Sequence, residues 1–186
     1  MFGITVYNIG NSFALFESDF TIDAGSTAGS WNILVNNVDI TGSSGTFTVN
    51  NVNVTGNNHV VANKMAPGTS AYFDINIVPT GTDVSIRYDL TFDFSLLSTS
   101  ISVDDITELN NRTLVQTGEN TYSGVITLSE IENDTVSNVR VVIIWDNDEN
   151  NNETDSELGM DLNGSISIPV QIDVTQYLGE TLVEYE

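Results

Sequence analysis

The sequence predicts an all-β fold, a two-sheet jelly-roll sandwich with little helix, on three observations. The first is strict period-two alternation between Lys64 and Phe94, where Phe73, Ile75 and Ile77 share one face and Tyr72, Asp74 and Asn76 the other. After a break, Val84, Ile86, Tyr88, Leu90, Phe92 and Phe94 face one way, while Ser85, Arg87, Asp89, Thr91 and Asp93 face back. Such alternation marks half-buried antiparallel strands. The second is turn chemistry at short intervals: Pro67-Gly68 opens this unit and Pro79-Thr80-Gly81-Thr82 divides it, since Pro presets φ and Gly accepts the positive φ that follows. The third is the scarcity of long helical periodicity, which leaves many short strands, the pattern of a sandwich.

In chain order, residues 1–16 read as strand through Phe2, Ile4 and Val6, with Asn8 breaking the phase and Phe13 and Leu15 resuming it. An apolar terminal strand is either an ordinary sheet edge or a strand offered to another molecule. Residues 24–30 form a Gly- and Ser-rich loop. Trp31 to Ile40 is expected as one strand with Trp31, Ile33 and Val35 on one face, and Thr46 to Thr55 as another. The phase of the latter slips at Asn50-Asn51, which predicts a bulge or tight turn.

Ser102–Leu109 is expected to be a short helix, with Ser102 capping Asp105 and with Ile106 and Leu109 on one face. Arg112–Gln116 and Thr121–Leu128 flank Thr117-Gly118-Glu119-Asn120 as a hairpin. Val139–Trp145 is nearly continuous apolar sequence, predicting a central strand buried on both faces. An acidic loop, 146–157, follows. Ser165–Gln176 alternates through Ile166, Ile168, Val170, Ile172 and Val174, and Pro169, lacking a donor, belongs at an edge or bulge. The acidic tail, Tyr177–Glu186, is expected to be loosely held.

Among 186 residues, 26 are acidic and 4 are Lys or Arg, for a net charge of −22. Nucleic acid and anionic membrane surfaces both require clustered cations, so neither is an expected partner; divalent cations are compatible. No stretch is long and apolar enough to span a bilayer. With no Cys, disulfides, thiolate zinc sites and Cys nucleophiles are excluded. Residues 1–16 carry no Lys or Arg, so they do not read as a signal peptide; the expectation is an exported protein whose leader is not part of this sequence. Five Asn-x-Ser/Thr sequons, at Asn53, Asn111, Asn133, Asn152 and Asn163, fit a glycosylated extracellular surface.

No catalytic set is legible. The single His, His59, sits in a polar turn, and one His without Cys cannot build an ordinary catalytic zinc site. The acidic loop is the strongest ligand candidate: Asp146, Asp148, Asn150, Asn152 and Asp155 supply the hard oxygens Ca²⁺ prefers, although the spacing is not that of an EF-hand. The alternative is a hydrophilic loop leaving a buried strand. Asp104-Asp105 and Glu130, Glu132 and Asp134 are weaker versions of the same idea.

Three stretches resemble the TasA/camelysin family of secreted fibre proteins and the related archaeal pilins: Ser12–Asp19 with Ala24-Gly25 and the Trp31–Asn36 strand; Met65–Ser70 with Gly81–Val84 and Arg87-Tyr88; and Trp145-Asp146 with Asn152, Asp155 and Leu158-Gly159, then a strand ending in Gln176. The resemblance implies a jelly-roll subunit, residues 17–186, preceded by a donor strand and lead-in, residues 1–16. Phe2, Ile4, Val6, Tyr7 and Ile9 would complete the sheet of the next subunit. It implies a secreted, non-enzymatic homopolymer of biofilm matrix or cell adhesion. The metallopeptidase activity described for camelysin relatives does not carry over, because no zinc-binding set is present, and 95–137 matches no family motif. The competing expectation is a monomeric, calcium-dependent carbohydrate-binding or adhesin module, with Trp31, Trp145 and Tyr72 as glycan-stacking candidates.

Overall fold

The computed structural model describes residues 29–40, 44–56, 58–160 and 166–186. Within them the chain forms two antiparallel sheets packed face to face as an all-β sandwich. The first sheet contains β1 (Leu34–Val35), β2 (Val38–Asp39), β4 (Asn53–Val54), β5 (Ser70–Val78), β7 (Ile101–Glu108) and β10 (Ser137–Trp145). Its order is β2-β1-β5-β10-β7, with β4 also on β5. The second contains β3 (Gly45–Val49), β6 (Ile86–Phe92), β8 (Leu114–Gly118), β9 (Thr121–Ile126) and β11 (Ile168–Gln176), ordered β3-β11-β6-β9-β8. Two short helices, α1 (Leu128–Ile131) and α2 (Asn152–Met160), lie on connections.

The alternation that predicted β5 and β6 is realised: Phe73, Ile75, Ile77, Ile86, Tyr88, Leu90 and Phe92 are buried. Each such aliphatic or aromatic side chain contributes roughly 1.5–3 kcal/mol on burial. Gly68 and Gly81, both at positive φ, make the two turns that bracket β5.

Several expectations are corrected. Trp31–Ile40 is a hairpin, because Asn36 and Asn37 both adopt the left-handed conformation Asn tolerates. At Asn50-Asn51 the chain crosses from β3 in one sheet to β4 in the other. Ser102–Leu109 is not helical: β7 runs through it, and a register shift opposite Val142/Ile143 inserts one residue between Val103 and Asp105. That bulge converts a spacing of two into three, so Val103 and Ile106 share the inward face and imitate a helical stripe. Val139–Trp145 is central but one-sided: Val139, Val141, Ile143 and Trp145 are buried, whereas Arg140, Val142 and Ile144 stay half-exposed. The acidic stretch is partly helical, as α2. Pro169 lies on β11, between β3 and β6, and its carbonyl accepts from the Asp93 amide at 2.9 Å. A residue's N–H and C=O leave a strand on the same side, so the missing donor falls just past the β6 ladder, which ends at Phe92.

A polar chain ties the sheets together. Tyr88 Oη on β6 meets Ser137 Oγ on β10 at 2.9 Å. Ser137 Oγ donates to Glu108 Oε1 at 3.2 Å. Glu108, 8% exposed, also accepts from the amides of Asn110, Arg112 and Asn138. Burial pushes the Tyr88 hydroxyl up to about 12. The ring fits because its cross-strand neighbour is Gly124; a Cβ there would overlap the Tyr88 ring and hydroxyl. Gly124→Ala is therefore expected to destabilise by about 1–3 kcal/mol or more, and Tyr88→Phe by about 1 kcal/mol, both read by chemical denaturation.

At α1, the Thr127 amide and hydroxyl each donate to Glu130 Oε2 at 2.7 Å, and Arg112 Nε lies 3.2 Å from Glu130 Oε1. Partial burial opposes ionisation, but these contacts outweigh it and hold the Glu130 carboxyl below 4.5. A depressed folded value stabilises above the unfolded value and is lost as pH falls through the folded one. The stability gap between wild type and Glu130→Gln should be full above pH 4.5 and close on further acidification. A gap constant with pH would show that the contact contributes nothing.

Candidate functional site

The residues singled out by composition and motif do not converge on one site. Phe2, Ile4, Val6, Tyr7, Ile9 and Asn163 lie outside the described residues. The sequon asparagines Asn53, Asn111, Asn133 and Asn152 are exposed, as is His59. Trp145 is 5% exposed and donates Nε1–H to Asp155 Oδ1 at 2.8 Å. Trp31 packs against the core. The Arg140 guanidinium lies 3.9 Å from the centre of the Tyr72 ring and forms a bidentate pair with Asp74 at 2.7 and 2.8 Å.

The acidic stretch divides. Asp146 accepts from Ser102 Oγ at 3.3 Å, and Asp148 Oδ1 accepts from the Asn150 amide and side chain at 2.9 and 2.8 Å. Asp146, Asp148 and Asn150, with Asn147, Glu149 and Asn151, line an open polar concavity of about 690 Å³. Asp155 turns inward to Trp145 instead. Among the described residues, no three His, Cys, Asp or Glu side chains are grouped so as to share a cation. Nor is any helix there long and apolar enough to cross a membrane.

The feature that stands out is a sheet edge. On the far side of the first sheet, β1 and β4 both cover β5, and Asn36 adds a backbone and a side-chain bond to Asn76. On the near side the sheet ends at β7, an eight-residue strand with no partner beyond it among the described residues. The Leu109 amide donates inward to Asn138. By strand alternation the amides of Thr107 and Leu109 therefore face β10, and those of Ile106 and Glu108 face away. A row of unpaired backbone groups is a template for another strand.

Beside this edge lies a groove of about 360 Å³, lined by Phe94, Val103, Asp104, Asp105, Ile106, Asn120 and Tyr122. Val103 and Ile106 come from β7 and Tyr122 from β9, so both sheets contribute walls. Phe92 stacks on Phe94 at 5.4 Å and meets Tyr122 edge-on at 6.1 Å, which makes one wall aromatic. Desolvation, then the Asp105 charge, raises the Tyr122 hydroxyl above its ordinary value. The groove thus sets aromatic and aliphatic walls, from Phe94, Tyr122, Val103 and Ile106, beside the polar groups of Asp104, Asp105 and Asn120.

This edge is absent from the sequence reading because the bulge in β7 disguised the strand as a helix. The two adjacent Asp residues, 104 and 105, interrupting otherwise regular alternation were the available signal. Comparison of the chain with protein-family models, curated proteins and solved structures gives no match.

Amide exchange followed by NMR checks the edge directly. In the isolated protein, Ile106 should exchange much faster than Thr107 and Leu109, its neighbours bonded into the ladder. Equal protection of all three would mean that the edge is covered.

Proposed function

We propose that this protein is a secreted structural subunit of an extracellular filament or pilus. Subunits polymerise head-to-tail by donor-strand complementation, in biofilm matrix or cell–cell adhesion. The observation that carries the reading is the edge of β7, without a partner among the described residues, and the groove beside it walled by side chains of both sheets. Main-chain bonds to an added strand supply affinity, and pockets for alternate side chains supply selectivity. The matching donor is the uncharged stretch 2–9 of another copy, with Phe2, Ile4 and Val6 at alternate positions and Tyr7 and Ile9 beyond them. A strand carrying carboxylates would be repelled by Asp104 and Asp105 at the rim; this one carries none. Donor and acceptor are different surfaces, so repeated association yields an open filament rather than a closed ring.

The strand order supports the jelly-roll reading. A jelly roll of strands B to I has sheets B-I-D-G and C-H-E-F. The order β3-β11-β6-β9 corresponds to the first, and β5-β10-β7 to the first three strands of the second. The strand after β7, which would complete that sheet, instead pairs with β9 as β8. The place it leaves, alongside β7, is where a donated strand would lie. Exposed sequons and the absence of Cys are compatible with an extracellular, glycosylated surface. Calcium belongs to the same proposal at the concavity of Asp146 and Asp148, whose hard oxygens suit it, with Asp155 excluded by its bond to Trp145.

Negative-stain electron microscopy of the full chain and of a chain lacking residues 1–10, each with and without chelator, tests the reading. Filaments from the first and none from the second are expected. A synthetic peptide of residues 1–16 should bind the truncated chain and slow exchange at Ile106, and Val103→Lys should weaken that binding about tenfold or more, about 1.4 kcal/mol. Filaments that persist without residues 1–10, or a full chain that stays monomeric throughout, would sink it. Loss of filaments in chelator would assign the metal a structural part.

A further inference from the structure

The second sheet also ends in an exposed edge, at β8, and there the chain supplies a cover of its own. After β11 the Tyr177 amide donates to the Ser85 carbonyl at 2.9 Å, and the Leu178 amide to the Glu180 carboxylate at 3.0 Å. Farther on, the Tyr185 amide donates to the Gln116 carbonyl of β8 at 2.8 Å. The attachment to β8 is this one backbone bond with little burial, since Leu178, Val183 and Tyr185 are 76%, 73% and 53% exposed and Leu182 is half-buried. Gly179, at φ +103° with open space around it, supplies a hinge. Thr181-Leu182-Val183-Glu184-Tyr185 is rich in residues that favour extended backbone. Such a segment detaches at little cost.

We infer that Tyr177–Glu186 is an exchangeable strap: it covers the β8 edge of its own subunit and takes the same place on a second copy of this chain. The same Tyr185–Gln116 bond forms either way, so exchange loses no contact, which is the condition for swapping an element between identical chains. Charge sets the balance. Glu180, Glu184 and Glu186 lie on the strap, and the whole chain carries −22; self-repulsion at low salt favours the internal arrangement, and screening permits exchange.

Because the chain contains no Cys, introduced thiols report the contact cleanly. In the full chain, Gln116→Cys combined with Tyr185→Cys should form an internal disulfide at low salt. A mixture of the two single variants should form covalent dimers, several-fold more in high salt, and more than a control mixture pairing Tyr185→Cys with Val61→Cys, at an exposed site. Dimers no more abundant than in the control would overturn exchange, and failure of the internal disulfide would overturn the strap itself. Repeating the mixture with residues 1–10 removed separates this association from donor-strand assembly: strap exchange survives that deletion, whereas filament formation does not.

Discussion

The bond between Tyr88 and Ser137, and the notch at Gly124 that lets the Tyr88 ring reach it, is the constraint on which the rest of the sandwich depends. Tyr88 crosses from the second sheet to the first, where Ser137 opens β10 and hands the contact to Glu108 at the end of β7. Glu108 in turn gathers the amides of the β7–β8 turn and of Asn138. A buried carboxylate is tolerable only when its acceptors are filled, and here backbone donors fill them. One aromatic residue thus ties the two sheets together at the end of β7.

From this frame the β7 and β8 edges acquire different characters. The β7 edge has walls from both sheets and an aromatic interior, so an incoming strand would gain burial as well as hydrogen bonds. The β8 edge, half-buried along its length, is met by the strap through one backbone bond. Burial at roughly 25 cal/mol per Å² of apolar surface is the larger and less exchangeable term. The proposed polymer contact therefore sits at β7 and the proposed exchangeable one at β8. The net charge of −22 opposes non-specific association between copies.

The acidic stretch shows how a compositional signal divides on folding. Five oxygen-bearing side chains close in sequence suggested one site, yet Asp155 is drawn inward by the indole N–H of Trp145. An indole donor in the core needs an acceptor, and the nearest carboxylate in sequence that α2 can present to it is Asp155. Asp146 and Asp148 remain at the surface. The requirement of a core tryptophan thereby separates residues that the sequence places together.

By itself the sequence determined the all-β class, the inward faces of β5, β6 and β11, the β8–β9 hairpin and the Pro-Gly and Pro-Thr-Gly turns. All of these follow from local alternation and local φ preferences, which need no knowledge of distant partners. Only the tertiary structure decided that Ser102–Leu109 is an edge strand, that Trp31–Ile40 folds back at Asn36-Asn37, and that the chain changes sheets at Asn50-Asn51. The physical reason is common to them. A bulge, a left-handed pair of asparagines and a sheet crossover each interrupt alternation in ways that resemble a helix or a slip. Which interruption is meant depends on the strand opposite: Val142/Ile143 for β7, Ile77 for β1 and Tyr72 for β4. The β7 edge escaped the sequence reading for the same reason: Asp104-Asp105 marked an interruption, but an edge is defined by its neighbours, which are assigned only when the sheets assemble.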